Sequence, residues 1–564
     1  MPITSRWEVG IPSCSLQEWI FGSACGPVPD YNAFIDPEAP DTNYLTLSGY
    51  RSLSKRIAMG LQKAGLATGD RVLLVSPNSL FVPPAFLGVL MAGGIVSGAS
   101  PGFVTRELAY QLKDSGASFM FAAKECLPTA LQAATDAGLP HDRVYVLSHA
   151  AVPISQVVLA ETPGPAAQCR LPTGARHWTE LVQNTAAAAT TWRWAEPADA
   201  AATTCCLNYS SGTTGVPKGV EISHGSYVAN GVNVAHLTRL RPDFEARRKT
   251  ERGLCFLPMF HAYGQTYFIA NLPHLRVPVY VMAGFSLPKM LEYIERFRIT
   301  TLPLVPPIVV AIAKNRALVA RHDISSIENM GSGAAPLARE VCEDVERLFP
   351  GKEMYIRQGW GMTEVTCTAM AWDPTTTIKG SAGVGELIPN CRAKLMALDG
   401  TTEIVQANQR GELWVTGPTL MRGYWQRPEA TADAIVVDAD GTRWLRTGDV
   451  AFIEEYAPGG IFHVVDRVKE LIKVKGHQVA PAELEGLLLE SPDVADAAVV
   501  GVITPDGMEK PRAYVVRSPG SKATEADVAG WMRGKAAAYK QLTGGVVFVE
   551  AIPKNPVSLS LLPP

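Results

Sequence analysis

Charge is scarce in this sequence and neither sign prevails. With 51 basic against 54 acidic side chains the formal net charge is −3, and 19% of residues are charged. A chain so balanced presents no basic field to nucleic acid and no polybasic patch to an anionic membrane, so its expected partners are small molecules. Long apolar runs are missing too. The most apolar window, 80–99, is interrupted by Pro83, Pro84 and the pair Gly93 and Gly94, and without basic flanks it reads as a buried helix, not a transmembrane segment. Ten cysteines are scattered without metal-ligand spacing, which points to reduced core thiols. Residues 1–15 contain no uninterrupted hydrophobic stretch and 559–564 show no lipidation or organelle signal, so a cytoplasmic location is expected.

What the chain does have is length and apolar content. Its 564 residues, 47% of them hydrophobic, suffice for roughly three to five units of ordinary domain size. From 47 to 151, helix-like segments (51–64, 106–114) alternate with short apolar runs (71–76, 118–122, 144–147), the rhythm of βαβ units around a parallel sheet. Between 151 and 202 the pattern lapses into Ala-, Pro- and Thr-rich sequence, expected to be a peripheral connection. Similar alternation resumes at 277–282, 287–297 and 302–313.

Residues 209–220, Tyr-Ser-Ser-Gly-Thr-Thr-Gly-Val-Pro-Lys-Gly-Val, concentrate small hydroxyl and glycine residues ahead of one basic side chain. Glycines let main-chain N–H groups approach a polyphosphate, Ser and Thr donate hydrogen bonds, and Lys218 supplies charge. A flexible surface loop explains the glycines but not the single lysine after four hydroxyls. The loop is not a Walker A sequence, because Pro217 stands where that motif requires glycine. Residues 204–207 before it suit a strand, and 225–237 after it suit a helix whose positive end is expected near the loop's ligand.

Three further stretches carry candidate chemistry. A strand at 253–258 empties into Met-Phe-His-Ala-Tyr-Gly, placing His261 and Tyr263 where α/β proteins bind ligands. The small-residue loop 331–336 permits close main-chain approach. In Gln-Gly-Trp-Gly-Met-Thr-Glu at 358–364, Trp360 can stack on a base, Thr363 can bind phosphate and Glu364 can hold Mg²⁺. Taken singly each could be an ordinary turn; together they read as a nucleoside triphosphate site. Beyond 383 the sequence turns strand-rich (393–397, 411–416, 444–447, 460–465), then runs into the basic positions Lys469, Lys473 and Lys475, the last two expected on one face of a strand. A helix at 482–489 and alternating elements over 497–550 have the size of a small separate domain.

In this order, from 47 to 556, these blocks resemble the adenylate-forming superfamily of acyl-CoA synthetases, luciferases and peptide-synthetase adenylation domains, nearest to 4-coumarate:CoA ligase-like enzymes. The resemblance rests on the 209–219 and 358–364 motifs, on Tyr-Trp-Gln-Arg-Pro-Glu-Ala-Thr at 424–431, and on Leu-Ile-Lys-Val-Lys-Gly-His-Gln-Val-Ala-Pro-Ala-Glu-Leu at 471–484. It implies an α/β protein: a large N-terminal domain (1–465) of two α/β subdomains plus a small β-barrel, and a small mobile C-terminal domain (466–564) hinged at Asp466. It also implies two half-reactions, in which a carboxylate attacks the α-phosphate of ATP to give an acyl-adenylate and a thiol, usually that of coenzyme A, then displaces AMP. By this matching Ser210, Ser211, Gly212, Thr213, Thr214 and Lys218 hold the β- and γ-phosphates and Glu364 takes Mg²⁺. Ala334, Gln358, Gly359 and Trp360 border the adenine, and Asp449 and Arg467 hold the ribose. Phe260, His261, Tyr263, Tyr267, Val305 and Gly333 face the acyl group, which their character makes aromatic or medium-chain. Lys469 and Lys473 face the adenylate, and Lys475 and Gly476 face coenzyme A. His261, Thr363, Glu364 and Lys473 are the implied catalytic set.

Three positions depart from the family pattern. Trp360 stands where an adenine-facing tyrosine is common, and Gly284 where plant ligases of this type place a lysine that contacts coenzyme A. More consequential is the tail: the family's Ile-Pro-Lys-x-Pro-Ser-Gly-Lys ends in a lysine that reaches the reacting carboxylate and α-phosphate, whereas here that position falls on Leu559, or on Ser560 with one residue inserted. Weakened adenylation is therefore expected, since losing one cation facing developing charge typically costs about 10²- to 10³-fold. Two alternatives stay open: transfer of the acyl group to a carrier-protein thiol, and a lapsed enzyme that only binds nucleotide and acid.

Overall fold

The computed structural model describes residues 2–147, 154–155, 171, 174–182, 186–210, 217–378, 381–468, 470–474, 477–504, 509–533, 535–536, 540–555 and 558–560. Among these, one sheet of eight strands runs in the order Gly423–Tyr424, Lys218–Ser223, Thr204–Ser210, Ile95–Ala99, Arg71–Val75, Ala117–Ala123, Val144–Leu147, Arg176–His177. Its central parallel strands are apolar almost continuously because helices cover both faces. Along Arg71–Val75, Val72 and Leu74 join the main core with the helices Leu47–Lys63 and Val82–Met91. Leu73 and Val75 join a second core beneath Thr105–Ser115 and Leu127–Ala137, as the two-residue side-chain period of a strand requires. Val82–Met91 is buried along its whole length; the rest of the apolar window is the strand Ile95–Ala99.

A second sheet of seven strands runs Ile356–Gln358, Asn329–Ser332, Thr301–Leu304, Gly253–Cys255, Val279–Val281, Asn32–Ile35, Tyr44–Thr46. Its edge is one-sided: Met330, Ser332 and Ile356 are buried while Asn329, Gly331 and Arg357 are half-buried. The strand-rich region beyond 383 forms a seven-stranded antiparallel sheet whose long strand Arg443–Ile453 pairs with Phe462–Arg467. The C-terminal unit has its own core, built from Ile472, Leu484, Leu488, Val499, Val515 and Val546 among others. Nine described cysteines are free thiols, six of them buried.

Two expectations need correction. Lys218–Ser223 runs back antiparallel along Thr204–Ser210, with Lys218 opposite Ser210 and Ser223 opposite Thr204. The helix His224–Arg239 therefore starts about 20 Å from Lys218, at about 3.4 Å per strand residue, and its first N–H groups bond to Thr203 and Ala200 carbonyls. Its positive end does not serve the loop. The 151–202 connection, where described, is also not peripheral: Arg176–His177 extends the first sheet, and Trp178 is buried with its ring 4.8 Å from that of Phe81.

Candidate active site

The glycine-rich loop is clamped at both ends by one helix. Tyr110 and Asp114 stand four residues apart on Thr105–Ser115 and so share a face. The Tyr110 hydroxyl donates to the Pro217 carbonyl at 2.7 Å, and the Tyr209 hydroxyl donates to Asp114 Oδ2 at 2.8 Å. Arg427 pairs with Asp114 Oδ1 at 2.5 Å, tying in the 424–431 motif. The hairpin register sets Ser210 beside Lys218. Ser211, Gly212, Thr213 and Thr214 lie outside the described residues.

Glu364 is the hub of this end of the site. Its carboxylate is buried, and Oε1 accepts from the Tyr424 hydroxyl at 2.9 Å and from Ser210 Oγ at 3.3 Å. Burial and the Glu364 charge hold the Tyr424 phenol well above its usual pKa, so it stays a donor. The Lys218 ammonium sits 5.0 Å from the centroid of the Tyr424 ring, a cation–π contact. One carboxylate among hydroxyls, beside a phosphate-type loop, is a donor set that could hold a Mg²⁺ whose remaining ligands come from substrate phosphates and water. Among the described residues no cluster of three or more His, Cys, Asp or Glu forms an all-protein metal cage.

The motif that carries Glu364 turns tightly, and Gly361 shows why: a Cβ there would come within 1.6 Å of the Cys367 carbonyl oxygen. Trp360 is 8% exposed, and its indole N–H donates to Asp449 Oδ2 at 2.8 Å. Asp449 Oδ1 faces Arg467 Nε at 3.2 Å, the two residues being cross-strand partners. Burial raises the Asp449 pKa, opposed by Arg467 and the Trp360 hydrogen bond. The Gln358 amide accepts from Leu337 N at 3.1 Å and donates to Leu337 O at 3.0 Å. That exchange shapes the loop in which Ala334 is held at φ +76°, a left-handed conformation unfavourable for alanine. Thr363 is half-buried where the single turn Thr363–Val365 begins.

In the stretch expected to face the acyl group, His261 caps the turn Ala262–Gly264 by accepting from Tyr263 N at 3.3 Å. Burial pushes its pKa down to about 4, so the imidazole is neutral at physiological pH. Tyr263 and the π-helical Tyr267 meet edge to face at 6.2 Å. A Cβ on Gly333 would lie 3.8 Å from Tyr263 Cε1 and 3.7 Å from the Gly359 carbonyl, so the Tyr263 ring lies over the Gly333 end of the second sheet. The Phe260 carbonyl accepts from Gln265 Nε2 at 3.0 Å. Val305 is buried in the main core, 5% exposed. Lys469, Lys475, Gly476 and the Lys473 side chain lie outside the described residues. Gly284 has open space around it. Sequence reasoning gave no role to Tyr424, Tyr110 or Asp114; the first lay inside a recognised motif, and the other two were legible only as a polar pair at helical spacing.

The sequence profile of AMP-binding enzymes matches residues 23–425, and that of the AMP-binding enzyme C-terminal domain matches 483–558. The chain belongs to the AMP-binding enzyme family. This AMP-binding enzyme is an AMP-forming acid–thiol ligase close to the 4-coumarate–CoA-ligase-like proteins. A probable CoA ligase of Humulus lupulus is 35% identical over 530 residues, 93% of this chain and 88% of its own. A phenylacetyl-CoA ligase of Aspergillus niger is 34% identical over 554 residues, 97% of this chain and 95% of its own. The AMP-binding enzyme also shares its fold with the crystal structure of an anthranilate CoA ligase in complex with anthranoyl-AMP, at a TM-score of 0.78, 21% identity and coverage of 98% and 96% of the two chains. None of its described helices is long and apolar enough to cross a membrane.

Proposed function

We propose that this ligase activates an aromatic or medium-chain carboxylic acid as an acyl-adenylate, using ATP with Mg²⁺ at Glu364, and passes the acyl group to coenzyme A. The observation that carries this reading is the convergence of Ser210 and Tyr424 on Glu364, with Lys218 against the Tyr424 ring. It sets a cation, a hydroxyl and a carboxylate at the mouth of a loop suited to phosphates. Asp449 and Arg467 take the ribose, Trp360 with the main chain at Ala334 and Gly359 borders the base, and Thr363 binds phosphate. Gln358 acts by shaping that loop. The neutral His261 with Tyr263, Tyr267 and Gly333 bounds the acyl group; Phe260 and Val305 support that wall.

Lys469 and Lys473 approach the adenylate from the C-terminal domain, and Lys475 with Gly476 approaches coenzyme A. The domains divide at Asp466, whose carboxylate accepts from Ala482 N at 3.2 Å and so links the last strand of the large sheet to the first turn of Pro481–Leu489. Rotation there exchanges the faces presented in the two half-reactions. With Leu559 or Ser560 in place of the terminal lysine, adenylation is the slow step. The relatives named as CoA ligases support coenzyme A as acceptor. Incubating the protein with ATP, Mg²⁺, coenzyme A and a carboxylic-acid panel tests this: acyl-CoA and AMP in equal amounts are expected. AMP released without a coenzyme A thioester would redirect the acceptor to a carrier thiol.

A further inference from the structure

The face of the second sheet beneath Tyr263 and Tyr267 changes character along its length. In the register of its edge strands Thr301 lies beside Asn329, and Gly331 beside Arg357; partners in a parallel sheet point to the same side, as do residues two apart. At one end are Gly333 and Gly359, and a Cβ on Gly331 would meet only the Arg357 carbonyl, at 3.8 Å. Glycines thus leave a trough. Its other end is cationic. The Arg241 guanidinium reaches the Asn329 side chain at 3.4 Å, and half-buried Arg357 makes only long contacts of 3.4 Å to the Pro374 and Thr376 carbonyls. Among the described residues the buried Arg357 Nε has no hydrogen-bond partner, a condition buried donors rarely tolerate.

Nearby carboxylates favour the charged arginines, Glu251, Asp243 and Glu328 acting on Arg241 and Asp373 on Arg357, but none pairs with either guanidinium directly. Glu328 pairs with Arg247 at 2.5 Å, and Asp373 pairs with Arg6 at 2.8 Å. Glu251 accepts from Thr301 Oγ1 at 3.1 Å, and burial raises its pKa. Neither Arg241 nor Arg357 forms an ion pair with a described residue. Burial lowers the Arg357 pKa, and the like charges of Arg241 and Arg247 act in the same direction against Asp373 and Tyr355. A half-buried cation without a directly paired counter-charge is held at a cost, and an anionic ligand would relieve both.

We propose that the acid substrate carries a second carboxylate at the end remote from the reacting one, and that Arg357, with Arg241, binds it. This rests on the reading that the trough holds the acyl group. With the reacting carboxylate at the Gly333–Gly359 end, Arg357 lies about 7 Å further along the strand and Asn329 about 13 Å from Gly333, at about 3.3 Å per residue. That span suits a medium-chain dicarboxylic acid or an arene with carboxylate-bearing arms.

Matched pairs test it on the full-length protein: nonanedioic against nonanoic acid, and 4-carboxycinnamic against 4-methylcinnamic acid. Thioester formation is measured with ATP, Mg²⁺ and coenzyme A, and binding of each acid by calorimetry. The diacid of each pair is expected to be favoured at least about tenfold, and Arg357→Gln to weaken diacid binding about 10- to 100-fold, as loss of a charge-assisted hydrogen bond implies. The monoacid should stay within about threefold, and Arg357→Lys should restore part of the preference. Equal use of both acids by the wild type, or equal weakening of both by Arg357→Gln, overturns the proposal. If no acid is converted, the ligase reading fails and calorimetry still decides this one: selective loss of diacid binding in Arg357→Gln supports it, and unchanged or absent diacid binding contradicts it. Should Arg357→Gln lower the melting temperature or ATP affinity, Arg241→Gln is measured in its place against the same two outcomes.

Discussion

The Tyr424 hydroxyl donates to Glu364 Oε1 across 2.9 Å. Through that bond the 424–431 motif orients the carboxylate proposed to hold Mg²⁺, and the same ring lies against Lys218. Tyr424→Phe keeps the ring and removes only the donor. Loss of one such orienting hydrogen bond should lower kcat about tenfold and raise the Mg²⁺ concentration needed for half-maximal rate, with the melting temperature little changed. A Mg²⁺ titration of the variant checks this.

Trp360 and Asp449 form a second coupled pair. Trp360→Phe leaves a smaller aromatic ring and withdraws the N–H from a buried carboxylate that also faces Arg467. Such a deletion should destabilise the protein by about 1–3 kcal/mol and raise the KM for ATP more than that for the acid. Denaturant unfolding and steady-state kinetics read the two effects.

Acid and base should act oppositely on the two ends of the chain. Burial depresses the pKa of His224 and His261 to about 4. Unfolded histidine therefore binds more protons between about pH 4 and 6.5, and the N-terminal body loses stability as pH falls through that window. Burial raises Asp466 and Glu485 to about 7. There the folded state binds more protons, so the C-terminal unit loses stability as pH rises from about 4 to 7. Hydrogen exchange resolved by segment, corrected for intrinsic rates, should show protection moving in opposite directions between pH 7 and 5. Glu485→Gln, which keeps the acceptor for Val499 N, should flatten the C-terminal trend alone.

The tail gives a test of the slow step. Pyrophosphate–ATP exchange in the native protein should be about 10²- to 10³-fold below that of the triple variant Val557→Ser, Ser558→Gly, Leu559→Lys, by the usual effect of one cation on developing charge. Thioester formation from a supplied acyl-adenylate should differ little between the two. An unchanged exchange rate would mean that the terminal cation is dispensable here.

Much of this architecture was legible in the sequence because local pattern and tertiary packing agreed. Arg71–Val75, Ala117–Ala123 and Val144–Leu147 are apolar runs that the sheet buries on both faces, and the 209–220 loop announced itself by composition. What stayed hidden was direction and pairing. That the helix His224–Arg239 follows the loop by a few residues says nothing of where it starts in space; a six-residue return strand carried its N-terminus away. The clamp by Tyr110 and Asp114 joins residues about a hundred positions apart, and no local pattern encodes it. The proposed acyl wall looked apolar because Phe260, Tyr263 and Tyr267 cluster in sequence, whereas Arg241 and Arg357, proposed to close its far end, come from other segments of the chain.

Mass-spectrometric analysis of the full-length protein incubated with ATP, Mg²⁺, coenzyme A and a panel of aromatic and medium-chain acids, with and without a second carboxylate, tests the central claim most directly. The account predicts AMP and one acyl-CoA in equal amounts for at least one aromatic or medium-chain acid, both abolished by Lys218→Ala and Glu364→Ala. ATP bound but no AMP released with any acid, at concentrations where the acids bind, would contradict it.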